Sequence, residues 1–106
     1  MNSTLRRFEI LLPLQFNDGR EISVDLLSDA VFEVVDHFGS VSYYHNIVEG
    51  RWTHEGAIYR DNNSKIVIDV LDTDENRQWM RDFKSRWKDR LEQLDLWLVS
   101  YEIDVE

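Results

Sequence analysis

The chain has 106 residues, 42% of them hydrophobic and 12% aromatic, with no cysteine and a formal net charge of −9. That length predicts one domain with a core of its own. The missing cysteines exclude a disulfide framework, a thiolate metal site and a thiol nucleophile, and the acidic balance disfavours nucleic acid and anionic membranes as partners, since both need a positive surface.

The N-terminal stretch MNSTLRRFEILLPLQFNDGR carries Glu9 inside its apolar run and no small-residue cleavage site, so it reads as a strand and not a signal peptide. No apolar stretch approaches the roughly 18 residues of a membrane span, and the expected location is the cytoplasm. From Arg7 to Leu14 the residues Phe8, Ile10, Leu12 and Leu14 alternate with Glu9, Leu11 and Pro13, the period of a strand with one buried face. Pro13 places the end of this strand at an edge or an exit. Asn17-Asp18-Gly19 is a turn.

A helix is predicted from Val24 to Phe38, because Leu26, Leu27, Ala30, Val31, Val34, Val35 and Phe38 share one face. Ser23 is its N-cap and Gly39 its stop. Its opposite face carries Asp25, Ser28, Asp29, Glu33 and Asp36. His37 lies in the last turn, where the helix dipole favours its protonated form.

From Val41 to Asp72 the pattern is β. A second strand starts over Val41 to His45, Gly50 marks a bulge, and Trp52 to Tyr59 forms a hairpin turning at Glu55-Gly56. Asp61 to Ser64 reads as another turn. Lys65 to Leu71 is the strongest β-run, with Ile66, Ile68 and Val70 on one face. A second helix is predicted from Asp74 to Leu94, capped by Thr73 and buried along Trp79, Met80, Phe83, Trp87, Leu91 and Leu94. The last strand runs to the C-terminus with Trp97, Val99, Tyr101, Ile103 and Val105 as its apolar face.

The order is β-α-β-β-α-β, which predicts a ferredoxin-like α+β sandwich. Four antiparallel strands form its sheet, two helices lie on one face, and an extra hairpin lies between strands two and three. Leu11, Val67, Leu71, Leu96 and Leu98 are expected on the uncovered face, making it an apolar surface in want of a partner.

Two features could carry chemistry. Residues 77 to 90 hold six basic and two acidic side chains, and Arg77, Arg81, Lys84 and Lys88 fall on one helical stripe. The functional reading is an anion patch; the structural one is a row of long side chains that cover the core edge and pair with carboxylates. The Gly50–Asp61 segment holds the ligand-binding candidates Trp52, His54, Glu55, Tyr59 and Asp61. There His54 can exchange protons near neutral pH, whereas Trp52 paired with Tyr59 across a hairpin is the structural alternative. His54-Glu55 lacks the second histidine of a zinc motif, since position 58 is Ile58. Neither a metal nor a cofactor is expected, and no catalytic residue can be assigned.

Phe8-Glu9-Ile10, Asn17-Asp18-Gly19, Phe38-Gly39, Gly50, Trp52, His54-Glu55-Gly56, Tyr59, Asp61, Asp69-Val70, Asp72-Thr73, Phe83-Lys84 and the stretch through Arg90, Gln93, Asp95 and Trp97 together resemble an uncharacterised family of small bacterial proteins of unknown function. The resemblance implies a small stand-alone ferredoxin-like domain and carries over no activity. Two functions follow for the chain. One is a non-enzymatic interaction or regulatory module, acting as a homodimer through the open sheet face or on another protein partner. The alternative is a small-molecule binder or enzyme of the dimeric α+β barrel type. Its pocket would lie near residues 50–61, with His54 as acid/base, Glu55 or Tyr59 as its partner and Trp52 as a wall.

Overall fold

Strand β1 (Leu5–Pro13) is one of the two inner strands of the sheet. In the computed structural model, which describes residues 4–106 apart from the side chains of residues 46 and 47, β1 is followed by helix α1 (Val24–Phe38) and by strands β2 (Ser42–His54) and β3 (Ala57–Leu71). Helix α2 (Asp74–Arg90) and strand β4 (Leu98–Ile103) complete the chain. The first three residues of the N-terminal stretch lie outside the described residues. The strands lie in the order β2-β3-β1-β4, all antiparallel, which is the ferredoxin-like arrangement read from the sequence. Among the described residues no helix is long and apolar enough to cross a membrane.

The pairs Phe8↔Ile68, Ile10↔Ile66 and Ile10↔Leu98 put their side chains on one face of the sheet. There they meet Leu27, Ala30 and Val34 of α1 and Met80, Phe83 and Trp87 of α2 in a single core. Ser23 Oγ accepts from the Leu26 amide and Gly39 takes the left-handed conformation at φ 88°, so α1 starts and stops where its caps dictate. Thr73 caps α2 in the same way through the Asn76 amide. Glu33, on the face expected to be solvated, accepts a hydrogen bond from Trp87 Nε1 and ties the two helices together.

Four expectations need correction. Helix α2 stops at Arg90, not Leu94: Glu92 takes φ 54°, and the amides of Glu92 and Gln93 bond to the carbonyls of Asp89 and Lys88. This closes a Schellman motif without the usual glycine, and it throws Leu94 out to 64% exposure. Asp61 to Ser64 is strand, not turn: Asn63 and Ser64 are buried in β3, with Asn63 Nδ2 donating to Val48 O and Ser64 Oγ to Leu12 O. The irregularity in β2 lies between Tyr44 and Val48, and Gly50 pairs regularly with Asp61. Strand β4 ends at Ile103 and shows the helices its even-numbered residues. The Ile10↔Leu98 pairing puts Leu98 on the core side, with Leu96 buried just before it, while Trp97 and Tyr101 face outward. Both residue sets are apolar, so alternation alone left that face ambiguous.

Candidate functional site

The uncovered face of the sheet is a mosaic and not the uniformly apolar surface expected. At its centre Arg7 makes a two-pronged hydrogen bond to its cross-strand partner Asp69, at 2.7 and 2.9 Å. Glu9 lies 3.1 Å from Lys65 Nζ and accepts from Tyr101 Oη at 2.8 Å. The Tyr101 and Lys65 hydrogen bonds hold the Glu9 carboxyl below its usual range, Arg7 does the same for Asp69, and Glu9 pushes the Tyr101 phenol up. Apolar side chains flank this lattice: Val67 is buried, and Leu71, Tyr101 and Trp97 are 50%, 44% and 66% exposed.

β2 and β3 outrun the rest of the sheet. The β1–β3 ladder ends at Pro13↔Asn63, and from Gly50↔Asp61 outward the two strands pair only with each other, up to the turn between His54 and Ala57. The result is an arm that contributes to a longest dimension of 50 Å. Register puts Val48, Gly50, Trp52 and His54 on the same face of this arm as Asn63, Asp61 and Tyr59. Trp52 stacks on Tyr59 with ring centroids 4.5 Å apart and donates its indole N–H to Asp61.

Between the base of this arm and the segment after α2 lies a cleft of about 500 Å³. Leu11, Pro13 and Gly50 form its floor, Trp52, Asp61 and Asn63 its arm side, and Gln93 to Trp97 the opposite wall, with Asn17 at the rim. A Cβ at Gly50 would meet Asn63 Nδ2 at 3.4 Å, an ordinary contact. The early end of α2 makes the far wall, since the Schellman turn swings Gln93 to Trp97 back across the sheet edge.

Two of the five hairpin candidates, Trp52 and Asp61, therefore line the cleft. Tyr59 backs Trp52 from behind. His54 and Glu55 lie beyond it at the turn, with side chains 47% and 85% exposed and 3.7 Å apart. The basic stripe is partly neutralised. Arg77 forks onto Asp72 at 2.8 and 3.0 Å, Lys84 lies 3.1 Å from Asp95, and Arg81 donates to Gln78; Lys88 is half-buried on the same helix. Among the described residues no three His, Asp or Glu side chains come together as a metal site requires. Leu11, Asn63, Gln93 and Trp97 were not among the ligand-binding candidates read from the sequence. The wall they complete depends on where α2 ends, and no glycine or proline marks that point.

The chain has the fold of a class of small ferredoxin-like proteins. A phage SAM lyase in complex with S-methyl-5′-thioadenosine is similar over 100% of this chain and 94% of its own, with a TM-score of 0.71 and 14% identity. CutA1 from Oryza sativa is similar over 98% of this chain and 84% of its own (TM-score 0.66, 10% identity). A divalent ion tolerance protein CutA1 from Ehrlichia chaffeensis is similar over 100% and 87% (TM-score 0.58, 6% identity). These identities establish a shared fold and nothing finer. No family model matches the chain and no curated protein matches it significantly. The comparisons support the ferredoxin-like part of the resemblance read from the sequence and do not bear on a bacterial origin.

Proposed function

We propose that the protein binds a small molecule in the cleft between the β2–β3 arm and the segment after α2. The observation that carries this reading is the cleft itself. About 500 Å³ is within the size range of ligand sites, and apolar and aromatic walls with a few convergent polar groups are their usual composition. It lies beside the 50–61 hairpin, two of whose candidates, Trp52 and Asp61, line it. The structure of the phage SAM lyase holds S-methyl-5′-thioadenosine, which makes that nucleoside the first probe. Calorimetric titration of the full chain is expected to show saturable binding. Trp97 is 66% exposed, so Trp97→Ala should leave the unfolding midpoint in place. It should weaken binding about tenfold, the effect of losing one aromatic contact. No saturable binding at millimolar nucleoside, or equal binding by the variant, would overturn the assignment.

The exposed Leu71, Trp97 and Tyr101 on the uncovered face favour a second reading, a homodimer that covers this face. A sedimenting mass twice the 12.7 kDa of the chain at micromolar concentration supports it; a single-chain mass rejects it.

A further inference from the structure

The polar side chains that line the cleft offer mainly acceptors. Asn63, 8% exposed, spends its amide nitrogen on Val48 O at 3.3 Å and Asp61 O at 3.4 Å. The amide nitrogens of Asn17 and Gln93 donate to Glu92 O and Leu91 O at 3.3 and 2.8 Å. None of these three amide oxygens accepts a hydrogen bond among the described residues. The Trp52 indole N–H is likewise taken up by one oxygen of Asp61, and the other oxygen accepts nothing among the described residues. The amide nitrogens of Asn17, Asn63 and Gln93 and the Trp52 indole are therefore engaged. The acceptors left over outnumber the one indole N–H without a partner among the described residues, that of the exposed Trp97, a balance that suits a donor-bearing ligand better than a phosphate or carboxylate.

Charge points the same way. Asp95 is compensated by Lys84 at 3.1 Å. Arg51 also borders the cleft, but the register puts its side chain on the opposite pleat of β2, across from Arg60, with Glu49 at 3.7 Å. Asp61 has no cationic partner among the described residues, and the Trp52–Tyr59 stack holds it in place. A carboxylate fixed beside an aromatic wall is a preorganised seat for a cation.

We infer that the cleft selects for positive charge and takes an organic cation with N–H donors on an apolar or aromatic body, its charge held by Asp61. This inference rests on the cleft being a ligand site. Three probes of one shape separate the charge states: benzamidine as cation, benzamide as neutral isostere and benzoate as anion. Each is titrated at neutral pH into the full chain while the indole N–H resonances are followed by NMR. Benzamidine should shift the Trp52 indole signal and bind about tenfold more tightly than benzamide, the scale of a charge-assisted hydrogen bond, while benzoate should not bind. In Asp61→Asn, which keeps an oxygen for Trp52, the benzamidine advantage should vanish and benzamide binding should stay. Added salt gives a second measurement on the native chain, weakening benzamidine and leaving benzamide unchanged. Benzoate binding as well as benzamidine, or an advantage that survives Asp61→Asn, overturns the charge selection. If none of the probes binds but S-methyl-5′-thioadenosine does, charge selection fails and the cleft assignment stands. If nothing binds at all, both fall.

Discussion

The same two strands live in two different environments. Over Tyr43 and Ile66 to Ile68 they lie beneath two helices, beside side chains such as Ile10, Phe83 and Trp87 that are 0% exposed. Five to seven residues further along, from Gly50 to Asp61, they form a ribbon that pairs with no third strand among the described residues. Two-stranded ribbons are marginal in water on their own, so the arm depends on its root in the sheet and on the Trp52–Tyr59–Asp61 cluster. Stability is concentrated in the covered half, and the candidate site lies where that cover ends. A region with few buried contacts can open without unfolding the rest, which is a useful property in one wall of a cleft.

The contrast is broken most directly by truncating one aromatic in each half. Phe83→Ala removes a side chain with 0% exposure and should cost about 3–5 kcal/mol in urea unfolding, a large part of the roughly 5–15 kcal/mol available to a domain. Trp52→Ala removes a stacked pair on the arm, worth roughly 0.5–1.5 kcal/mol. Equal losses in the two variants would mean that arm and core fold as one unit and that the division drawn here is wrong.

A second, smaller effect concerns the latch that fixes α2 to the sheet. Asp72, just before the helix, receives the fork from Arg77 and lies 3.1 Å from Arg6 Nε on β1. The hydrogen bonds from Arg77, followed by the nearby Arg6 guanidinium, lower its carboxyl from 3.8 to about 2. A carboxyl acidified by folding favours the folded state wherever it is ionised there. Its contribution is therefore complete above about pH 4 and is lost as pH falls toward 2. Asp72→Asn should be less stable than the native chain at pH 6, and the gap should narrow as denaturation is repeated at pH 4, 3 and 2. A gap independent of pH would show that the latch contributes through packing and not through charge.

The covered half was the legible half. Its signals are local and redundant: alternation from Phe8 to Leu14, the 3.6-residue period of α1, and caps at Ser23, Gly39 and Thr73, where side-chain type and backbone conformation agree. The cleft was legible only on its arm side, where a Trp, a Tyr and an Asp at alternate positions of a hairpin fall on one face. Its other wall follows from Glu92 adopting a conformation that glycine prefers, at φ 54°, and the residue type carries no trace of that choice. The outward face of β4 was misread for a related reason. Trp97, Val99 and Tyr101 are as apolar as Leu96 and Leu98, and only pairing with β1 decides which set is buried. The buried Asn63 looked like a turn residue because Asn usually is one; here its amide bonds to the β2 backbone instead.

The smallest expected effect gives the finest view of the arm. Its turn has Glu55 at φ 50° and Gly56 at φ 80°, the signature of a type I′ hairpin, for which Asn-Gly is the preferred pair. A glutamate in the left-handed region carries a backbone penalty of about 1 kcal/mol that Asn largely avoids, so Glu55→Asn should stabilise the turn by several tenths of a kcal/mol. Where that gain appears depends on how arm and body are coupled. If the ribbon frays independently, amide exchange should slow at Thr53, His54 and Ala57 while the global unfolding midpoint does not move. If the midpoint rises by the full amount, the arm opens only when the core does, and the cleft has a rigid wall.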